Sequence, residues 1–363
     1  MRVLEVISSL APTGGGETFA VNLSRELSSR VELSVVILHQ NNKTYFINRL
    51  KEKGIEPIVL NKKGHLDPKT TNQLKNIILD FKPDVIHTEN NAIISTYLAL
   101  NKTKLKYKIN VFHTMHLIPE KECNNFVLRF LYKHIFKKSN FIPVGITEQL
   151  ANISKVFYKR NNVPFVNNGS NLENFKNIKE LQKRKYDVVV VGRFSKEKNH
   201  CFLLNSFKEL SKTHPNVKIA LVGGGELFED IKKLSSELKL DSYVEFKGVM
   251  SDPSSIVNDS KIITLGSLYE ANPLTLIEGM SSGCIVVANA VGGIPEIVKD
   301  KKNGFLYNTN DMKSYVTFLS NVLDNIDEFT EMSKCNSKYA QNYSMKNCVK
   351  EYLNLFNSYG RGN

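Results

Sequence analysis

Short apolar runs alternate with amphipathic stretches along this chain, and the alternation runs its course twice. In the first half, VLEVIS (3–8), LSVVIL (33–38), EPIVL (56–60), DVIH (84–87), INVFHTMH (109–116), FIPVG (141–145) and VPFVNN (163–168) read as strands. Residues 16–29, 45–53, 69–81, 91–100, 124–138 and 147–153 read as helices between them. Phe19, Leu23 and Leu27 recur at spacing four, which places them on one helical face. The helix over 69–81 stops before Pro83. A polar stretch without period, 170–185, reads as a linker, and the pattern then restarts. YDVVVVG (186–192) is nearly continuously apolar, as a parallel strand covered on both faces must be. Further strands are expected at 217–223, 243–248, 261–266 and 284–289. Helices are expected at 199–211, 226–238, 274–282 and 311–324, with a last amphipathic helix at 343–356. Such alternation in both halves predicts an α/β protein of two doubly wound domains.

A chain of 363 residues with 41% apolar content can bury two cores. Cys123, Cys201, Cys284, Cys335 and Cys348 are scattered, odd in number and form no C-x-x-C pair. That excludes a disulfide framework and fits a reducing compartment. Glu5 interrupts the first apolar run, so the N-terminus reads as a buried strand, not a cleavable leader. No run approaches the ~20 apolar residues of a membrane-spanning helix, so a cytoplasmic location is expected. The net charge of +13 is uneven: residues 1–180 carry 26 Lys+Arg against 15 Asp+Glu, residues 181–363 carry 23 against 21. A charge concentrated in one half points to an anionic partner for that half, or to solubility written with lysine.

Four groups of residues carry chemistry. GGGETF (14–19) follows the first strand, where glycines and a helix N-terminus favour an anion. It is not G-x-G-x-x-G, and the second strand ends Leu38-His39-Gln40 without an acid to hold a ribose. A nicotinamide dehydrogenase is therefore disfavoured. In VVVVGRFSKEKNH (188–200), Arg193 and Lys198 leave a buried strand together, a pairing suited to a diphosphate. In LYEANPLTLIEGMSSG (268–283), Pro273 can open a helix, with Glu270 in the loop before it and Glu278 in its second turn. Such a pair can grip hydroxyls or lie on the surface as plain charge. His113 and His116 stand near a strand end, and spacing three puts them on opposite faces.

Together these segments resemble family 4 glycosyltransferases, the retaining group with the GT-B fold. GGGE (14–17) resembles the family's G-G-x-E loop, HTMH (113–116) its H-x-H segment, and FVNNGSNLENF (165–175) the segment closing its first domain. GRFSKEKNH (192–200) resembles its G-R-x-x-x-x-K-N signature and EANPLTLIE (270–278) its E-x7-E motif. VGGIPEIV (291–298) and NGFL (303–306) follow in order. The resemblance implies two facing Rossmann-like domains, 1–175 on the acceptor side and 176–342 on the nucleotide-sugar side, with 343–363 returning to the first. It implies that Arg193 and Lys198 hold the donor diphosphate, faced by Gly14 and Gly15. Glu278 would hold the ribose, and Glu270 the donor sugar, assisted by Asn272, Leu274 and Thr275. His116 would stand near the reacting sugar, with His113 and Asn168 secondary on the acceptor side. The catalytic set expected on this basis is His116, Glu270, Arg193 and Lys198.

The family often has Gly-Phe after the first glutamate, where this chain has Ala271-Asn272, which leaves the donor sugar open; a UDP-sugar is expected over GDP-mannose. No D-x-D occurs, so no metal and no further cofactor is expected. The acceptor expected is a lipid-linked saccharide of capsule, O-antigen or lipopolysaccharide assembly. The helix over 124–138 mixes Phe126, Leu128, Phe130, Leu131, Ile135 and Phe136 with Arg129, Lys133, Lys137 and Lys138. It can lie on an anionic membrane or pack a core with a basic outer face. The competing readings are a sugar-nucleotide epimerase of the same fold and a basic nucleic-acid-binding protein. The latter is disfavoured because the aromatics do not interleave with the basic residues.

Overall fold

The structure, a computed structural model, describes residues 1–10, 15–39, 45–64 and 67–359. It divides into two compact units, Met1–Gly169 with Met345–Asn363, and Ser170–Ser344.

The first unit holds one parallel sheet of β1 (Arg2–Ser9), β2 (Glu32–His39), β3 (Ile58–Val59), β4 (Val85–Glu89), β5 (Asn110–Met115) and β6 (Phe141–Gly145), in the order β3-β2-β1-β4-β5-β6. Strands β4, β5 and β6 are buried at every position, including the polar residues His87, Thr88 and Glu89 of β4 and His113 and Thr114 of β5, which must therefore find partners inside the unit. Helix Gly15–Leu27 turns Phe19, Leu23 and Leu27 into this core, at the spacing the sequence predicts. The last helix, Met345–Ser358, adds Val349, Tyr352 and Phe356 to the same cluster. It approaches so closely that a Cβ on Gly169 would lie 2.7 Å from the Cβ of Cys348.

The second unit repeats the plan with β7 (Tyr186–Val191), β8 (Ile219–Val222), β9 (Val244–Gly248), β10 (Ser260–Leu265), β11 (Ile285–Asn289) and β12 (Gly304–Tyr307), in the order β12-β11-β10-β7-β8-β9. In each unit the strand order reverses at one place, between β1 and β4 and between β7 and β10. The crevice beyond the carboxyl ends of such a pair is where open α/β sheets bind ligands.

Three expectations need correction. Residues 163–168 form no strand: a single bridge joins Phe165 to Gly145, and Pro164 has no N–H to continue a ladder. Residues 170–185 are not a free linker. Leu172 and Phe175 enter the core of the second unit, and the buried Arg184 guanidinium donates to the carbonyls of Lys179, Ser260 and Ser282 and to Asn177. The boundary therefore falls after Gly169 and not after residue 175. Strand β12, seen in the sequence only as the motif NGFL, completes the second sheet.

Candidate active site

In the second unit, the carboxyl ends of β7 and β10 bring two of the sequence-predicted groups together. After β7 the chain runs through Gly192 and Arg193 into a short 3-10 turn, Lys196–Lys198. After β10 it runs through Ser267 to Glu270. The Lys198 ammonium donates to Glu270 Oε1, and the Ser267 hydroxyl donates to the same oxygen at 2.7 Å. Glu270 is 8% exposed, so its carboxylate is fixed between a cation and a hydroxyl before any ligand arrives. Arg193 is exposed and forms no ion pair with any described residue. His200 stacks on Phe194 with ring centroids 4.1 Å apart, and burial, aided by Lys198, pushes its imidazole down to about 4. It is a neutral packing ring behind the loop.

Glycines for which the sequence suggests no role of their own shape this edge. A Cβ on Gly223 would sit 1.9 Å from the Gly192 carbonyl oxygen, and one on Gly225 2.5 Å from that of Phe194. Both have positive φ, 138° and 154°. Only glycine lets this loop lie against the Arg193 turn. Gly292, at φ 53°, does the same for Glu270: its Cβ would lie 1.9 Å from the Glu270 carbonyl oxygen, which instead accepts the Gly293 N–H at 2.8 Å. The triplet Gly223–Gly225 directly after a buried strand was the available signal for the first.

Helix Leu274–Ser281 begins after Pro273 as expected, with Glu278 in its second turn. The Leu274 N–H, expected to face a ligand, instead donates to the Asn272 carbonyl at 3.0 Å. Asn272 and Thr275 flank it at the helix start, both partly exposed. Ser170 donates to Glu278 Oε1 at 2.6 Å, a partner the sequence did not suggest. Burial pushes the Glu278 carboxyl up to about 7, with Ser170 pulling the other way.

In the first unit, His116 stands just beyond β5 with its side chain 15% exposed. Its Nε2 bonds Glu89 Oε2 at 2.7 Å, and the Phe19 ring meets it edge-on at 5.5 Å. A Cβ on Gly16 would lie 3.1 Å from Asn90 Oδ1 and 3.4 Å from His116 Cδ2, so the helix start lies close against both side chains. Against the penalty of burial, the charge of Glu89, its hydrogen bond, and Glu122 and Glu17 beyond it hold the imidazole above its usual value. Gly15 opens the helix, and Gly14 lies outside the described residues.

His113 is fully buried, held between Thr88 Oγ1 at 2.9 Å and Glu122 Oε1 at 3.0 Å, and packs on Tyr132 and Phe136. That is the setting of a core histidine, so the secondary role expected for it does not fit. Asn168 is likewise 5% exposed.

One further cluster lies beneath His116. Donor atoms of Glu5, His87 and Glu89 lie within 4.8 Å of one another, the one such grouping of His, Cys, Asp and Glu among the described residues. His87 already engages both ring nitrogens, Nδ1 with Glu5 at 2.9 Å and Nε2 with Thr114 Oγ1 at 2.7 Å, and Thr114 in turn meets the Tyr352 hydroxyl at 2.7 Å. The arrangement is a buried histidine–carboxylate pair closed by hydrogen bonds.

Comparison with known proteins accords with this geometry. A family model described as glycosyl transferases group 1 matches residues 171–342, and one described as glycosyltransferase family 4 matches residues 13–173. An uncharacterized glycosyltransferase of Haemophilus influenzae is 25% identical over 358 residues, covering 96% of this chain and 98% of that protein. The UDP-Gal:alpha-D-GlcNAc-diphosphoundecaprenol alpha-1,3-galactosyltransferase of Escherichia coli is 24% identical over 309 residues, covering 80% of this chain and 76% of that one. Among solved structures, Anabaena Alr3699/HepE in complex with UDP superposes with a TM-score of 0.82 at 17% identity, over 99% of this chain and 100% of that one.

Proposed function

The chain belongs to the family 4 glycosyltransferases, enzymes of the GT-B fold, and from that premise we propose that it moves a hexose or N-acetylhexosamine from a UDP-sugar to a lipid-linked saccharide in bacterial surface polysaccharide synthesis. The observation that carries the donor half is the Lys198–Glu270–Ser267 cluster at the β7/β10 switch point, beside an Arg193 that forms no ion pair among the described residues. Cleaving the anomeric bond leaves negative charge on the departing diphosphate. Cations fixed in advance at that oxygen are the largest single contribution such a site can make. Arg193 can meet the diphosphate with a planar fork and Lys198 with a point charge. Glu270, already oriented by Ser267, accepts hydroxyls of the sugar, and Glu278 accepts those of the ribose. With two cations at the leaving group, we propose that no divalent metal bridges the diphosphate. Retention of the anomeric configuration is part of the same reading, through the family.

The relatives support the acceptor half. The Escherichia coli protein is named for a diphosphoundecaprenol-linked acceptor, and a relative in Klebsiella pneumoniae is encoded in a cps region. In this chain the helix Phe126–Phe136 buries Tyr132, Ile135 and Phe136 but exposes Phe126 (82%), Val127 (65%) and Phe130 (64%) beside Arg129. Apolar side chains set among cations suit an anionic membrane surface. No helix among the described residues is long and apolar enough to cross one. Charge reversal at Lys133, Lys137 and Lys138 is expected to weaken cosedimentation with phosphatidylglycerol vesicles at least tenfold; unchanged sedimentation removes the membrane from the proposal.

Calorimetry with UDP, GDP, ADP and CMP in the presence of EDTA tests the donor half. We expect selective UDP binding that Glu278→Ala weakens by a factor of ten or more. Preference for GDP would replace the donor, and binding that requires magnesium would overturn metal independence.

A further inference from the structure

A cavity of about 820 Å³ opens in the first unit at the same sheet edge that carries Glu89 and His116. Its floor is polar. Ser8 comes from the end of β1, and Asn91 lies two residues past β4; Lys62 reaches in from beyond β3. Its wall is apolar, built from Phe126, Val127, Leu128 and Leu131 on the first turns of the helix Phe126–Phe136. The volume lies within the range of small-molecule sites, and mixed lining of this kind is usual for them.

The two surfaces set different demands on an occupant. Lys62 is half-buried, and burial pushes its ammonium below the usual value, with the charge of Asp67 opposing that shift. Asp67 cannot serve as a dedicated partner. Its carboxylate already accepts the N–H groups of Lys63, Lys69 and Thr70 and the Thr70 hydroxyl, as the N-cap of helix Pro68–Phe81. No ion pair of Lys62 forms with any described residue. A partly desolvated cation without a carboxylate of its own is completed by a ligand anion. The opposite wall is completed by hydrocarbon, and it continues outward into the exposed Phe126 and Val127. A polar sugar alone leaves the wall wet, and a free phosphate does the same.

We propose that this cavity binds the phosphorylated end of a long-chain lipid, seating its phosphate at Lys62 and the start of its hydrocarbon chain on Val127, Leu128 and Leu131. The proposal rests on the transferase reading for its biological sense, since it would hold the carrier lipid of the acceptor at the sheet edge that also carries His116. It deepens that reading by naming a site. Phe126 and Val127 then lie at the mouth, where the chain leaves the protein for the membrane.

The probe is farnesyl diphosphate, a water-soluble phosphorylated lipid, measured by calorimetry on the full chain against farnesol and inorganic diphosphate. Wild type is expected to bind farnesyl diphosphate at least tenfold more tightly than either fragment. Lys62→Met and Val127→Asp are each expected to weaken that binding tenfold or more. Both change solvent-accessible side chains, and unchanged UDP binding in each variant shows that the fold and donor site survive. Three results overturn the proposal: probe binding unaltered in both variants, probe displaced by UDP, or variants that lose phosphatidylglycerol vesicle binding but keep the probe. Failure of the donor reading appears separately, as absence of UDP binding in wild type while probe binding and its sensitivity to Lys62→Met persist.

Discussion

Lys198→Ala is expected to lower kcat for sugar transfer by about 10²–10³-fold, the cost of removing one preorganised donor from developing negative charge. The same substitution strips the cation from Glu270, a carboxylate 8% exposed whose other contact at Oε1 is the Ser267 hydroxyl. Leaving a buried carboxylate without its counter-ion is costly. A fall in Tm of several degrees should therefore accompany the loss of rate. Glu270→Ala alone should be as damaging to transfer, because it removes the sugar's acceptor and lets Lys198 swing free. Residues acting as a unit do not contribute additively. The double variant should consequently be little slower than either single one, and more stable than Lys198→Ala, since no unpaired carboxylate remains. Single-turnover rates and thermal melts of the three variants check this. Rates that multiply in the double variant, or near-wild-type turnover in either single one, would show that the pair does not act together on the donor.

The sequence carries the elements of this site well and their supports poorly. Arg193, Lys198, Glu270 and Glu278 are polar residues directly after apolar strands or inside a helix with a clear start, so position along the chain suffices to find them. The frame that fixes them acts across the sheet. Gly292 is needed because the Glu270 carbonyl lies where its Cβ would be, and Gly223 because the Gly192 carbonyl does. Gly223 is marked locally only by the glycine triplet after a buried strand, and the two demands come from segments 22 and 31 residues away along the chain. The polar stretch 170–185 misled for the same reason. Its apolar positions Leu172, Phe175 and Leu181 have no period, because the segment is irregular, with one 3-10 turn at Leu181–Lys183, and each side chain is buried separately within the second unit. Glu89 was missed as well. A lone acid ending an apolar strand reads as a surface charge until His116, 27 residues on, is found against it.

That pair leads to the second large effect. Glu89 is fully buried with its Oε2 2.7 Å from His116 Nε2, so whenever the ring is neutral its proton sits on Nε2. The groups facing this imidazole are Glu89, Glu122 and Glu17, all acidic, with the Phe19 ring against its edge. Against the penalty of burial they hold it above its ordinary value in the folded state. A histidine raised on folding adds stability in full below its unfolded value, near 6.5, and loses that contribution as pH rises through the folded value. Glu89→Gln keeps the shape and removes the charge, so burial should then dominate and the His116 value should fall. The loss of Tm in this variant should be largest below pH 6 and shrink at alkaline pH. The imidazole titration of His116, followed by NMR, should move down. If His116 touches the reacting sugar, the step it contributes to the pH dependence of kcat should move down with it and vanish in His116→Asn, with kcat lower by about 10²-fold. A His116 titration unchanged by Glu89→Gln would mean that Glu89 does not set its charge. A titration that moves while the rate profile stays fixed would place His116 outside the chemistry and make the pair a structural ion pair of the first unit.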